Sequence, residues 1–313
     1  MSDARPEARP AVGRESPAAT DIVRLVPGPS VSVLVVSWQS AAWLERCLTA
    51  IDPGEAEIIV ADNASTDGSA ARARTVAPHA TVIALERNLG FAGGVNAARA
   101  AARTPRLLLL NPDAAPTPGA IARLADALDQ APDIGAVSGR LVDADGTPQH
   151  GFNIRRLPTL TSLAADLLLI DHLWPDNPAS VRYYARDLDP DAPADVEQPA
   201  AACLMIRADV FDRLGGFDEA FWPAWWEDVD FCRRLRAAGH RIRYVPDAVF
   251  RHQGGASVEA LGTRTFERVF AANRRRYVRK HHGRLAAAVV GGLGIVGATM
   301  RGVARALRPG RRG

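Results

Sequence analysis

Three acidic residues, Glu227, Asp228 and Asp230, follow a pair of tryptophans in the stretch WWEDVDFCRRLRAAGHRIRYVPDAVFRH, and His252 closes it. A carboxylate set among aromatic rings can act as a general base, because water is kept away from its basic form. The same residues also suit a plain helix, with acids in the first turn, Arg233, Arg234 and Arg236 near the end and Gly239 just beyond, all complementing the macrodipole. Val229, Cys232 and Leu235 recur at helical spacing and predict the core-facing side. Helix electrostatics leaves Trp225 and Trp226 unexplained, since a solvated helix start gains nothing from large rings. The apolar face of a sugar does. His252 on its own reads as a structural histidine.

Three further stretches carry candidate chemistry. In ADNASTDGS, Asp62 and Asn63 end an apolar run and small hydroxyl residues follow. This reads as an Asx turn with a helix cap, or as a carboxylate placed to accept the N3 proton of a uracil or thymine ring. In LLLLNPDA, Asn111, Pro112 and Asp113 follow four leucines, so either the turn-forming habit of Asn-Pro and Pro-Asp or a rigid oxygen ligand accounts for them. Such a ligand suits Mg²⁺ or Mn²⁺ bridging the phosphates of a nucleotide. In ERNLGFAGGVN, Gly90, Gly93 and Gly94 lead into a helix and let backbone amides approach a phosphate or sugar, while Asn88 and Asn96 add polar groups with no evident packing role. The pattern is neither a Walker loop nor G-x-G-x-x-G.

Positioning these residues requires an α/β fold. The run at 31–38 is too continuous in β-branched residues for a half-exposed strand and predicts a buried one, followed by a helix at 41–51. EIIVADN, a helix at 69–76, ATVIAL, a helix at 93–103, RLLLLNPD, a helix at 118–130 and IGAVSGRLV continue the alternation. Alternating strands and helices predict a mostly parallel sheet covered on both faces, with ligands outside the carboxyl ends of the strands. Asp62 and Asp113 would then share one rim. Residues 150–199 lose periodicity and read as a loop or lid, in which LTSLAADLLLIDHLW is an amphipathic helix serving packing or an acceptor groove. Regular structure resumes with ACLMIR and a short helix at 208–214.

Composition narrows the class. The chain of 313 residues is 47% hydrophobic and 23% charged, which fits a globular protein with one large core. Twelve of its 38 basic residues follow Glu267 and no acidic residue does, leaving 26 basic against 35 acidic before that point. The pI near 9.0 therefore describes a tail, and the main domain is no nucleic-acid-binding body. Within the tail, the uncharged run 285–300 lies between Arg284 and Arg301 and is shorter than the ~20 residues of a spanning helix. It predicts a segment lying on an anionic membrane surface or a packed terminal helix. Cys47, Cys203 and Cys232 have no paired spacing and read as buried thiols. The first 29 residues lack an apolar signal region and are expected to be disordered.

Taken in order, VSVLVVSW, VADNASTDGS, NLGFAGGVN, LLLLNPDA, ACLMIRADVFDRLGGFDEAF and WWEDVDFCRRLRAAGHRIRYVPDAVFRHQGGAS resemble the GT-A glycosyltransferases of family 2, in particular their bacterial rhamnosyltransferase-like branch. The resemblance spans residues 31–283. It implies a GT-A domain over 30–283 with a central sheet flanked by helices, followed by the basic apolar tail 284–313. By the same resemblance Asp62 binds the pyrimidine base, Asp113 is the last acid of a DxD motif that binds Mn²⁺ or Mg²⁺, and His252 completes the metal site. Asn111 stands where that motif has its first aspartate and removes one charge. Trp226, Glu227 and Asp228 match the WED motif, whose aspartate is the catalytic base.

The implied donor site comprises Ser37, Asp62, Asn63, Asn88, Gly90, Gly93, Asn96, Asn111 and Asp113, and the implied acceptor site Trp225, Trp226 and Glu227. The implied reaction is an inverting transfer of L-rhamnose from dTDP-rhamnose to a cell-envelope glycan or a polyprenyl-diphosphate-linked sugar, in the cytoplasm or at the inner face of the cell membrane. A UDP-sugar such as UDP-galactofuranose meets the same base contact, because uracil and thymine differ by one methyl. A sugar-1-phosphate nucleotidyltransferase would carry a glycine-rich triphosphate loop with a basic residue near the first strand, which SVLVVSWQS lacks. A noncatalytic nucleotide-sugar-binding protein would not need Asp113, Asp228 and His252 intact.

Overall fold

A computed structural model describes residues 29–307. The expected disordered segment therefore lies outside the described residues, save for its last one, as do Arg308, Arg311 and Arg312. The run VSVLVVS forms β1 (Val31–Ser37), with all seven residues buried. β-Branched side chains on both faces are what a strand covered by helices on either side requires. After it come α1 (Ala41–Thr49), β2 (Ala56–Asp62), α2 (Ser69–Val76), β3 (Thr81–Ala84), α3 (Gly90–Ala101) and β4 (Arg106–Leu110). These strands pair in parallel in the order β3-β2-β1-β4.

The second half of the sheet is mixed. β5 (Ala114–Pro116), α4 (Ala120–Asp129) and β6 (Ile134–Val142) lead into the segment expected as a loop. That expectation is corrected: the segment holds β7 (Ile154–Arg155), α5 (Leu160–Leu167), α6 (Ile170–Leu173), α7 (Pro178–Tyr183), β8 (Ala194–Val196) and β9 (Gln198–Pro199). α5 and α6 fall in the stretch read as an amphipathic helix, the other elements are too short to leave a periodic signal, and local caps fix two of the helices. Thr159 forms a capping box with Ser162 at the start of α5, and Asn177 caps α7 with Pro178 in its first turn. β10 (Cys203–Arg207) then runs antiparallel between β4 and β6. α8 (Ala208–Arg213), α9 (Glu227–Ala237), β11 (Arg241–His252), α10 (Ala256–Leu261) and α11 (Thr263–Leu307) complete the described chain. β11 pairs in parallel with β6 and antiparallel with β5 and β8.

Alternate residues of the buried strands feed two cores. Val33, Val35 and Val60 face the side packed by α1 and α4, and Leu34, Ile59 and Leu109 the side packed by α3, α8 and α9. A third cluster joins α5, α9 and α11 through Leu163, Leu167, Trp226, Val229, Tyr277 and Val290. α5 therefore serves packing.

α11 is two helical arms broken at Gly283, where φ 88° and ψ 173° leave the helical region. A glycine adopts that backbone without a Cβ penalty. The second arm folds back on the first, so that Arg275 Cδ lies 3.4 Å from where a Cβ on Gly291 would stand, and Arg274 Nη2 lies 3.6 Å from that of Gly294. Residues 263–302 include an 18-residue window of mean hydropathy 1.5, long and apolar enough to cross a membrane by length and composition.

Candidate active site

Parallel pairing brings the carboxyl ends of β2, β1 and β4 side by side. Ser37 is opposite Asp62, and Val35 is opposite Leu110, so Asn111 continues the same rim. Asp62 is buried; its Oδ2 accepts a hydrogen bond from the Ser65 amide at 3.0 Å. Its Oδ1 and the neighbouring Ser37 Oγ have no hydrogen-bond partner among the described residues. Unpartnered buried acceptors are costly in a folded chain, on the order of 1–3 kcal/mol each, so two at adjacent strand ends mark a place prepared for a donor group.

Asn63, which lines the cleft, also holds the next loop. Its Nδ2 donates to Gly90 O at 3.0 Å and its Oδ1 accepts from Leu89 N at 3.1 Å, which staples the end of β2 to the start of α3. Asn88 Oδ1 accepts from Gly90 N at 2.7 Å. Gly90 has φ 78°, and a Cβ there would stand 2.6 Å from Pro223 O. A 260 Å³ cleft opens beside these residues, lined by Trp38, Asn63, Asn88, Gly90, Pro112, Trp222 and Trp225 among others. Two residues expected in the donor site point elsewhere. Asn96 bonds Phe217 O, Phe217 N and Glu219 Oε1 at 2.9 to 3.0 Å, and a Cβ on Gly93 would meet Leu89 and Glu219. Both serve the contact between α3 and the turn at 216–219.

Asp113 and His252 meet through the pairing of β5 with β11, in which Ala114 is opposite His252. Asp113 Oδ1 lies 3.4 Å from His252 Nε2, and Asn111 Nδ2 is 3.5 Å from the same nitrogen. The tautomer follows from Gln149. Its Nε2 donates to Asp143 Oδ1 at 2.6 Å and to His252 O at 2.8 Å, which leaves Oε1 to accept from His252 Nδ1 at 2.8 Å. With the proton on Nδ1, the Nε2 lone pair faces a carboxylate oxygen. Two acceptors so placed fit a divalent cation held between them, and the Gln149 contact is the outer-shell bond that ligating histidines require. Among the described residues no third His, Cys, Asp or Glu joins them, so with an ion bound the remaining positions would fall to water and phosphate oxygens, as is usual for Mg²⁺. Phe152 stacks on the His252 ring at 5.3 Å.

Asp228 reaches the same end of the sheet through the turn before β10. Its Oδ2 accepts from Ala201 N at 3.4 Å, while the adjoining Ala202 O accepts from Asn111 N at 3.1 Å. Burial raises the pKa of Asp228, opposed by amides at Val229 and Ala201 and by the charge of Arg155. Glu227 is more deeply buried, and burial followed by the Asp228 charge pushes its carboxyl well above the usual range. Its Oε2 has no partner among the described residues. The pair thus favours a proton on Glu227 and leaves Asp228 the more readily ionised of the two.

The WWED turn corrects the acceptor expectations. Trp226 is 3% exposed and packs on Phe270 and Tyr277, and Glu227 is buried, so neither presents a face to a sugar. Trp225 lines the cleft and stands edge-on to Phe266 at 4.7 Å. Trp225 and Trp226 have φ 70° and 80°, a left-handed pair costing roughly 1–3 kcal/mol each, which is the kind of strain that functional turns retain. Asn273 of α11 holds this turn through Ala224 O at 2.9 Å.

Sequence reasoning missed Gln149, Phe152, Arg155 and Trp222. Trp222 is 57% exposed, lines the cleft and donates to Asn88 O at 3.3 Å. Its place three positions before a tryptophan pair was the one available signal. Gln149, Phe152 and Arg155 lie where the periodicity fades.

A sheet of this order, with an aspartate at the end of β2, an Asn-Pro-Asp turn after β4 and an acid-led helix before β11, defines a GT-A glycosyltransferase. Residues 32–189 match glycosyl transferase family 2, and residues 189–253 match the N-terminal domain of galactosyltransferase. The chain is 31% identical over 240 residues to the N-acetylglucosaminyl-diphospho-decaprenol L-rhamnosyltransferase of Mycobacterium tuberculosis, covering 70% of this chain and 75% of the relative. It is 28% identical over 97 residues to the rhamnosyltransferase WbbL of Escherichia coli, covering 31% of this chain and 33% of the relative. Among solved structures, the mannosyltransferase PcManGT from Pyrobaculum calidifontis, in complex with GDP-Man and Mn²⁺, superposes with TM-score 0.54 at 17% identity, over 89% of this chain and 76% of that one. S. aureus TarS superposes with TM-score 0.51 at 16% identity, over 85% and 70%. The chain belongs to glycosyl transferase family 2, and it is a rhamnosyltransferase-like member with the GT-A fold.

Proposed function

We propose that the protein transfers L-rhamnose, with inversion, from dTDP-L-rhamnose to a polyprenyl-diphosphate-linked acceptor sugar. The observation that carries this reading is the convergence of Asp62, the Asp113–His252 pair and Asp228 on one end of the sheet. The similarity to the mycobacterial L-rhamnosyltransferase supports the choice of donor and acceptor class.

In this reading the free Oδ1 of Asp62 accepts the N3 proton of thymine, and the Ser37 hydroxyl stands beside it. Asp113 and His252 would hold Mn²⁺ or Mg²⁺, which when bound supplies positive charge against the departing diphosphate. Asp228 removes the proton from the acceptor hydroxyl as that oxygen attacks the anomeric carbon and the bond to the diphosphate breaks. The proton ends on Asp228 and the electron pair on the leaving group. Trp222 and Trp225 flank the cleft and limit water there.

The test is transfer of labelled rhamnose from dTDP-L-rhamnose to a short-chain polyprenyl-diphospho-N-acetylglucosamine. Asp228→Asn is expected to lower kcat by about 10²–10⁴-fold, the usual contribution of a positioned base, with donor binding unchanged. Near-wild-type turnover in the variant overturns the assignment of the base. Labelling from a UDP-sugar in place of dTDP-rhamnose overturns the donor.

A further inference from the structure

The arms of α11 enclose an open cavity of 1020 Å³ separate from the cleft. Phe266 and Phe270 line it and touch Trp225 and Trp226, so a layer of rings connects its wall to the WWED turn. Seven arginines and two carboxylates surround it. Arg264, Arg268, Arg275 and Arg279 are exposed, and their spacings of four, seven and four residues put them on one face of the first arm. Like charges at i, i+4 repel, so this face is unfavourable by itself and is relieved by an anion. Arg301 enters from the other arm, and Arg274 below is paired with Asp166 at 3.4 Å. Guanidinium forks match phosphate oxygens in pairs.

An apolar stripe begins at the rim. Ile295 both lines the cavity and is 71% exposed, and with Leu285 (81%), Val289 (55%) and Val296 (49%) it forms the uncovered side of the second arm. A dense cationic basin beside an uncovered aliphatic stripe has the chemistry of an amphiphile with a phosphate head. A soluble nucleotide would use the basin and leave the stripe bare.

We propose that this cavity is a subsite for the diphosphate of a membrane-borne isoprenoid lipid, whose chain runs along the 285–296 stripe; as the acceptor's own diphosphate it rests on the acceptor class given above. The basin fixes the head group next to the WWED turn while the stripe seats the second arm in the bilayer surface. Recognition of the acceptor is thereby divided, the sugar meeting the cleft and the diphosphate meeting α11.

The test is sedimentation of the full chain with phosphatidylcholine vesicles carrying either undecaprenyl diphosphate or phosphatidylglycerol at matched surface charge. The wild type is expected to bind the diphosphate vesicles at least tenfold more tightly. Combined Arg268→Gln, Arg275→Gln and Arg279→Gln should erase that preference, and Ile295→Ser with Val296→Ser should weaken binding to both vesicles. Melting temperatures near wild type show that the variants are folded. Equal binding of the wild type to both vesicles, or an unchanged preference in the arginine variant, overturns the subsite. Competition by inorganic pyrophosphate at concentrations equal to the lipid reassigns the basin to a soluble diphosphate and overturns the lipid. None of these readouts measures sugar transfer, so the acceptor class stands or falls separately on the labelling experiment.

Discussion

At the scale of single residues, the chemistry turns on which atoms are left without a partner. Gln149 commits the His252 proton to Nδ1 and so aims a lone pair at Asp113. Gln149→Leu removes that acceptor, and the Mn²⁺ concentration needed for half-maximal transfer is expected to rise about 10–100-fold, the usual effect of losing an outer-shell partner. A metal titration that superposes on the wild type would exclude His252 as a ligand. Glu227 makes a second case. Its folded pKa is raised, so the folded state favours the protonated form. The wild type therefore loses stability as pH climbs from the unfolded carboxylate value of about 4.3 through the raised one. Glu227→Gln cannot ionise and is expected to melt higher than the wild type at pH 7.5 and no higher at pH 4. Equal melting temperatures at pH 7.5 would contradict the buried assignment. Sequence placed Asp62, Asp113 and Asp228 because strand ends and helix starts are local signals. It misplaced Trp226, because a tryptophan before an acidic helix looks the same whether it faces solvent or the aromatic cluster of α11.

At the scale of elements, α9 and α11 act as one support for the WWED turn. Asp230 is fully buried and accepts from Arg234 at 2.8 Å, Lys280 at 2.8 Å and His281 at 2.7 Å. Lys280 also reaches Asp218 at 2.6 Å, and Arg233 bonds the Tyr277 hydroxyl at 3.1 Å. These partners hold Asp230 below the usual carboxylate range despite its burial. Asp230→Ala removes the acceptor shared by Arg234, Lys280 and His281, and because Lys280 keeps Asp218 and Arg234 keeps Leu214 O and Gly216 O, urea denaturation is expected to show a loss of about 2–3 kcal/mol, below the full cost of breaking a buried pair from one side. A loss within that of a surface ion pair would mean that α11 is only loosely docked. The alternation of strands and helices up to β6 was readable because each element is long enough to show its period. Between β7 and β9 only the helical stretch of α5 and α6 was readable, since the other pieces of two to six residues show no period, and the partners of α5 on α11 lie more than a hundred positions away in the chain.

For the molecule as a whole, the sheet and its rim were legible, while the disposition of the C-terminal arms was not. Composition showed a basic end and an apolar run, but only the break at Gly283 turns them into a hairpin with a cationic inside and an aliphatic outside. Likewise, no spacing in the sequence indicates that Ala201 and Ala202 bring Asp228 and Asn111 to the same turn. The account rests on that convergence. The most direct measurement is a crystal structure of the protein with dTDP and Mn²⁺, read from the anomalous signal of the metal. A single Mn²⁺ about 2.1 Å from both Asp113 and His252 Nε2, with the thymine N3 on Asp62 and the diphosphate between them, is the predicted result. Manganese bound elsewhere, or a base seated away from Asp62, would contradict it.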